Sequence, residues 1–281
     1  MEEQNMDILE RIHASYYQLT ATERKLADYV LAQPSQVQFM SITQLADECG
    51  IGEATISRFC RNLKLKGFNA FKIELAQYSA SAVKQPEQPT DSLLGRSLEV
   101  SRLAIDAIQQ TTELINPAQI QTAVELFEDA SRVLCFGSGG SMLMAQEFVH
   151  LFSTVTNKFT AIADSHMQMS AAATMSREDV MVLFSYSGST NSGIQLLELA
   201  KSRGIRTVLV TRFYKSPAAN LADVVLRCGS NEGPFQFGSV PAKMAQLLLM
   251  DVLFQEFRHR NQDICEHHIQ NIASALSGMH I

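Results

Sequence analysis

Two short stretches of this sequence place small residues and hydroxyls where an anion could be held. Gly137-Ser138-Gly139-Gly140-Ser141 follows one apolar run, and Ser185-Tyr186-Ser187-Gly188-Ser189-Thr190 follows another. A helical pattern comes next in both cases, through Met142, Ala145 and Phe148 in the first and Ile194, Leu197 and Leu199 in the second. The first amides of a helix have no partner within it, and the helix dipole adds positive potential there, so both stretches suit an anion. Phosphate is the natural guest. Hydroxyls such as those of Ser141, Ser185, Ser187 and Thr190 can converge on one phosphate without a metal or an arginine, in loops that Gly139 and Gly188 keep small. A dinucleotide site is the rival, but Met142 stands where the third glycine of Gly-x-Gly-x-x-Gly belongs. Serine-rich turns without any ligand are the plainer alternative.

A second concentration of chemistry lies nearer the amino terminus. Between Ala54 and Ile73 there are five cations (Arg58, Arg61, Lys64, Lys66 and Lys72) and no acid, although the chain carries a net charge of −6. A segregated basic patch in an acidic protein suits phosphate contacts and counterion release on nucleic acid. Thr55, Ser57, Arg58, Arg61 and Asn62 fall away from the apolar positions of one helical pattern, so their polar groups are candidates to meet base edges and backbone.

The elements that would position these groups read clearly. Leu9, Ile12, Tyr16 and Leu19 give an amphipathic helix from Ile8 to Leu19. Thr20-x-x-Glu23 forms a capping box for a second helix, which Pro34 closes, and Ser41-x-x-Gln44 opens a third that ends at Cys49 before Gly50. The step Ile51-Gly52 leads into a helix from Glu53 to Leu63, buried along Ile56, Phe59, Cys60 and Leu63. Two short helices joined by a glycine turn make a helix-turn-helix. Ser79 to Asp91 has little to bury and reads as a linker. After a helical stretch and a stop at Asn116-Pro117, five short apolar runs alternate with helices: 133–136, 159–163, 180–184, 207–210 and 224–226. That rhythm predicts a five-stranded parallel sheet with helices on both faces and ligands at the carboxyl ends of the strands. The expected fold class is an all-α helix-turn-helix domain over 1–78, a linker over 79–91, and an α/β domain over 92–281.

Composition agrees. The chain has 281 residues, 46% of them hydrophobic and 19% charged, which is ordinary for globular domains and excludes wholesale disorder. No apolar run approaches the roughly 18 residues of a membrane span. The start lacks a secretory signal pattern, so a cytoplasmic location is expected. The five cysteines are scattered and read as small buried hydrophobes, and Cys265-Glu266-His267-His268 lacks the spacing of a zinc site and reads as a polar tail. No metal and no cofactor is expected.

With these residues in view, the chain resembles the RpiR family of bacterial transcription regulators, in which a helix-turn-helix precedes a sugar isomerase (SIS) domain. The resemblance rests most on Thr55-Ile56-Ser57-Arg58-Phe59 with Gly67-Phe68 and Phe71-Lys72, and on Ser185-x-Ser187-Gly188-x-Thr190. It implies operator DNA as a partner, with an inverted repeat bound by a homodimer or tetramer, and a phosphosugar effector held by Ser141, Ser185, Ser187 and Thr190. It also implies that 239–257 forms a long helix packing against a partner subunit. His166 and Lys243 are candidate contacts to the sugar, and members with similar positions respond to N-acetylhexosamine 6-phosphates such as N-acetylmannosamine 6-phosphate. The alternative is a catalytic SIS protein, an isomerase or lyase, whose acid and base would be drawn from Glu232 and His166.

Overall fold

The computed structural model describes residues 6–82, 92–229 and 239–277, with backbone alone at 80–82. Two compact units divide the chain. One takes residues up to Arg102 and the other Leu103 onwards, apart from a short segment after 230.

In the amino-terminal unit, α1 (Ile8–Ser15) runs into a 3-10 turn at Tyr16–Gln18, followed by α2 (Ala21–Ala32), α3 (Pro34–Val37), α4 (Ile42–Cys49), α5 (Glu53–Asn62) and α6 (Phe68–Ala82). Both capping boxes form, at Thr20 with Glu23 and at Ser41 with Gln44. Gly50 ends α4 in the left-handed region at φ 61°, which favours glycine. Pro34 does more than close α2. It opens the short α3, because a proline at the first helical position gives up an amide with no partner anyway. The core joins Ile8 and Ile12 of α1, Leu26 and Val30 of α2, Leu45, Ile56 and Phe59 to Phe71 and Leu75 of α6. Phe59 and Phe71 meet edge to face at 5.8 Å. Of the stretch read as a linker, 79–82 continue α6, and 83–91 lie outside the described residues.

The helix α7 (Leu93–Leu114) leads to α8 (Pro117–Asp129), whose start is capped by the Asn116 side chain. Then come β1 (Val133–Gly137), α9 (Gly140–Ser153), β2 (Phe159–Ala161), α10 (Ser165–Thr174), β3 (Val180–Phe184), α11 (Asn191–Arg203), β4 (Arg206–Thr211), β5 (Val224–Arg227), α12 (Val240–Arg260) and α13 (Gln262–Leu276). The strands form one sheet in the order β2-β1-β3-β4-β5, and every pairing is parallel. Alternate residues of the buried strands serve opposite faces. Val133, Val182 and Val210 join a core with α8, α9 and α12 that holds Phe127, Phe148 and Phe152. Leu134, Met181 and Leu209 pack instead against Ala172 of α10 and Leu196 and Leu197 of α11. The free edge of β5 is covered by side chains: Val225 donates its amide to Gln119 Oε1 (3.1 Å), and Gly229 donates to the buried Thr111 Oγ1 (2.9 Å).

Two sequence expectations need correction here. The cluster at Cys265 is no polar tail but part of the helix α13, where Cys265 is buried and Asn271 bonds to His267 at 3.1 Å. Residues 162 and 163 leave the second strand early, and Ile162 packs under α10.

Asp179 ties the start of β1 to the start of β3. Its carboxylate accepts both arms of Arg132 (3.1 and 2.7 Å) and the Ser176 amide (2.8 Å), and its side chain is 2% exposed. The Arg132 guanidinium, against the cost of burial, holds the carboxyl below its ordinary range. A depressed carboxyl stabilises the fold above its unfolded pKa, about 4, and that increment is lost as pH falls through the lower folded value. Asp179→Ala should therefore cost about 1 to 3 kcal/mol at neutral pH, read by urea denaturation. The difference between variant and parent should shrink on acidification below about pH 4, and an unchanged difference there would refute this account.

Candidate functional site

The helix-turn-helix is formed by α4, the Gly50 turn and α5, and its outer surface is less free than the sequence suggested. Glu23 of α2 is 2% exposed, and its carboxylate accepts from the Thr20 amide (3.0 Å), the Thr20 hydroxyl (2.7 Å), Arg58 Nε (3.2 Å) and Asn62 Nδ2 (3.0 Å). Burial works to raise this carboxyl, but the bonds from Thr20 and Arg58 outweigh it and the group stays below its ordinary range. Arg58 and Asn62 therefore clamp α5 onto α2 rather than standing clear of it, although about half of the Arg58 side chain remains exposed. Lys72 is also engaged. It donates to the Met40 carbonyl (3.1 Å), lies 5.8 Å from the Phe68 ring, and burial pushes its ammonium down to about 8. Lys72, half-buried, thus ties α6 to the turn between α3 and α4. Arg61, Lys64 and Lys66 are exposed, with Thr55 and Ser57 half-buried beside them on α5. Lys64 sits at φ 62°, a conformation that suits glycine, where its amide and that of Leu65 close the last turn of α5.

In the second unit the carboxyl ends of β1 and β3 lie side by side, since Gly137 pairs with Phe184 in register. A narrow hollow opens between them, lined by Ser138, Ser141, Ser185, Thr190 and Ser192 among others. The helices that start here differ from their neighbours. Asn116 caps α8 and Asp164 caps α10 with side-chain oxygens, but α9 begins at Gly139 and α11 at Thr190 with no side-chain cap. At α11 the amides of Asn191, Ser192 and Gly193 are thus left for another acceptor, whereas at α9 the Ser141 and Met142 amides bond to the Ser138 and Gly139 carbonyls (3.1 and 3.0 Å). Glycine is needed at two points. A Cβ on Gly137 would come within 2.8 Å of the Ser141 backbone, and one on Gly188, at φ 60°, within 2.2 Å of Ser216 Oγ.

Of the predicted contacts, Ser141, Ser185 and Thr190 line the hollow. Ser187 and Gly188 belong to its β3 loop, where Ser187 Oγ accepts the Ser189 amide (3.3 Å) and the Gly188 amide bonds to the Ser185 carbonyl (3.1 Å). Gly139 is exposed at the start of α9. His166 is exposed in the first turn of α10 and Lys243 half-buried in the first turn of α12, and neither lines the hollow. Glu232 lies outside the described residues. Sequence reasoning missed Gln168. It is 2% exposed, lines the hollow, and donates its amide hydrogens to the Gly137 and Ile162 carbonyls, both at 2.8 Å. With both hydrogens committed, its Oε1 is what remains to accept a bond from a guest. No motif marks a glutamine inside a helix. Only the strand ends that converge on it reveal the role.

Hydroxyls and amides of this kind hold an oxyanion without moving a proton. Among the described residues no cluster of three metal-ligating side chains occurs, and no helix is long and apolar enough to cross a membrane. Cys60 and Cys135 are buried, and burial raises both thiols, Cys60 to about 12.

Comparison with known proteins agrees with this arrangement. Residues 6–82 match the helix-turn-helix domain of the rpiR family, and residues 126–255 match the SIS domain. The uncharacterized HTH-type transcriptional regulator YbbH of Bacillus subtilis is 30% identical over 277 residues, covering 96% of this chain and 97% of its own. HexR of Escherichia coli, another HTH-type transcriptional regulator, is 26% identical over 277 residues, covering 96% and 94%. The solved structure of Vibrio vulnificus NanR complexed with ManNAc-6P superimposes with a TM-score of 0.89 at 26% identity, covering 98% of this chain and all of that one. Two domains in this order, matched along nearly their whole length by regulators, place the chain in the rpiR family: it is a transcriptional regulator that joins a helix-turn-helix to a SIS domain, and not an isomerase.

Proposed function

We propose that the chain represses or activates its target genes according to the level of a sugar phosphate, which binds in the serine hollow of the SIS domain and alters how the helix-turn-helix meets its operator. The observation that carries this reading is the hollow at the ends of β1 and β3, where Ser141, Ser185 and Thr190 meet the uncapped start of α11. Free amides and hydroxyls together satisfy a phosphate, and Gln168 Oε1 is placed to accept from a sugar hydroxyl. The first candidate effector is an N-acetylhexosamine 6-phosphate, since NanR was solved with ManNAc-6P. On this reading His166 and Lys243 serve the sugar end of the ligand, not its phosphate. The protein acts in the cytoplasm, where operator and metabolite meet.

We further propose a dimer on an inverted repeat, with recognition helices in successive major grooves about 34 Å apart. α7 supports it. Leu94, Leu98, Ile105 and Ile108 fall at the three- and four-residue spacing of a helix seam and are 70%, 63%, 53% and 37% exposed, which a second copy would cover.

Thermal shift with ManNAc-6P and other hexose and pentose phosphates tests the effector, since a ligand at 100 times its Kd stabilises by about 2.7 kcal/mol. Replacing Ser185 and Ser187 together by Ala should abolish most of that shift and spare DNA binding. Gln168→Met should lower the melting point and weaken the sugar phosphate far more than inorganic phosphate. An equal loss for both would show that Gln168 only holds the loops.

At the other end, Arg61→Ala should weaken operator binding in a gel shift by about 1 to 3 kcal/mol if it reads a base. Lys64→Gly should relieve the left-handed strain and raise stability by about 1 kcal/mol while lowering DNA affinity and its salt dependence. A Lys64→Gly protein that is more stable yet binds DNA undiminished would remove Lys64 from the interface.

A further inference from the structure

The loop after β3 supplies the serine hollow and also reaches the seat of α7. Ser185 lines the hollow, whereas Tyr186, the next residue, does not. The half-buried Tyr186 packs instead on a small cluster made by Ala107 of α7, Cys228 just past β5 and Ala245 of α12, all three buried. Its ring meets Phe213 edge to face at 6.3 Å. Its carbonyl accepts from the Arg212 amide (3.0 Å) and the Thr211 hydroxyl (3.1 Å), which fixes this point of the loop to the end of β4.

The helix α7 is seated at few points. Of its 22 residues, Ala107 and Thr111 are the buried ones, and they lie one turn apart. Thr111 donates its hydroxyl to the Ala107 carbonyl (2.7 Å) and accepts the Gly229 amide (2.9 Å). A Cβ on Gly229 would come within 2.7 Å of the Thr111 amide nitrogen, so the chain leaving β5 lies against the α7 backbone. Small side chains at 107, 228 and 245 leave the Tyr186 ring as the bulky member of this contact. A close-packed contact of this kind passes a shift of one member to the others, because it has little free volume to absorb it. The same helix starts in the amino-terminal unit, since the division between the units falls at Arg102 and Leu103.

We infer, on the sugar-phosphate reading above, that Tyr186 is the positioning residue that carries the state of the serine hollow to α7. A phosphate drawn onto Ser185 and the first amides of α11 turns the Tyr186 ring on its seat, and the helix that enters from the DNA-binding unit shifts with it. With the Tyr186 carbonyl fixed at β4, a pull on the hollow side of the residue pivots its side chain on the other. The changed packing supplies the differential contact that any ligand needs in order to shift a protein between two states.

The test titrates the full chain, with and without saturating ManNAc-6P, on an operator fragment that the protein has selected from random duplexes. ManNAc-6P should change the parent's operator affinity by about fivefold or more. Tyr186→Leu should bind ManNAc-6P and the ligand-free operator within about threefold of the parent, yet its operator affinity should respond to ManNAc-6P by less than about twofold. Tyr186→Phe, which keeps the ring, should retain the response. Hydrogen exchange on the unaltered protein needs no variant to fold: bound ManNAc-6P should alter the exchange of amides 107–114 of α7 and leave those of α13 as they were. A Tyr186→Leu protein with the full response, one that loses ManNAc-6P binding as far as it loses the response, or α7 amides indifferent to bound ManNAc-6P would each overturn the inference. Failure of the effector reading is told apart without any ligand. Tyr186→Leu alone should speed the exchange of amides 107–114 about tenfold, and Ser185→Ala with Ser187→Ala should not. Absence of that difference removes Tyr186 from the seat of α7 whatever the effector is. The difference intact, in a parent protein that no sugar phosphate stabilises in thermal shift, would strike the effector and the transmission together while leaving the seat.

Discussion

Every strand of the SIS sheet runs in the same direction, and the rest of that unit follows from this constraint. Parallel neighbours require a crossover between them, and here α9, α10 and α11 make the first three connections, each starting past the carboxyl end of its strand, while turns alone join β4 to β5. The amino termini of α9 and α11 are thereby delivered side by side with β1 and β3. On the proposed reading, the uncapped amides of α11 serve the ligand there. Packing supports the arrangement from both faces, with a phenylalanine cluster on one side, where Phe148 and Phe152 approach to 4.6 Å, and aliphatic residues on the other. Close backbone approach at Gly137 and Gly188 keeps the loops tight enough to converge.

The amino-terminal unit depends on a different device. One buried carboxylate, Glu23, completes the capping box of α2 and holds α5 through Arg58 and Asn62. Buried charges are tolerated only when bonded on all sides, and four donors meet that requirement here. The basic segment therefore divides its labour. One of its cations, Arg58, fixes α5 in place, and Arg61, Lys64 and Lys66 remain exposed. Charge counting along the chain does not distinguish these roles, because it does not see which acids lie across the core.

Among the described residues, the groups at the ends of β1 and β3 are hydroxyls, backbone amides and a glutamine. On the reading proposed above these groups would take an oxyanion and a sugar hydroxyl, and binding alone is what a sensor needs. A regulator gains from tight, reversible occupancy, whereas an isomerase must also place an acid and a base against a carbon.

How much was legible in the chain differs with the range of the interaction. Local chemistry was written in the residues: both capping boxes, the Gly50 stop, the helix-turn-helix spacing, the five apolar runs and the two serine loops all depend on neighbours a few positions apart. The parallel sense of the sheet followed from rhythm, since helices between strands leave little choice, but the order β2-β1-β3-β4-β5 came only from the fold. What the sequence could not fix were pairings across long separations. The 35 residues between Arg58 and Glu23, the burial of Lys72 against Met40, and the approach of Gln168 to Gly137 exist only after the chain has folded. A side chain's periodicity says which way it points from its own helix, but its partner is chosen by packing between elements. For that reason the serines and threonine that line the hollow could be named in advance, while the buried glutamine beside them was decided by tertiary structure alone.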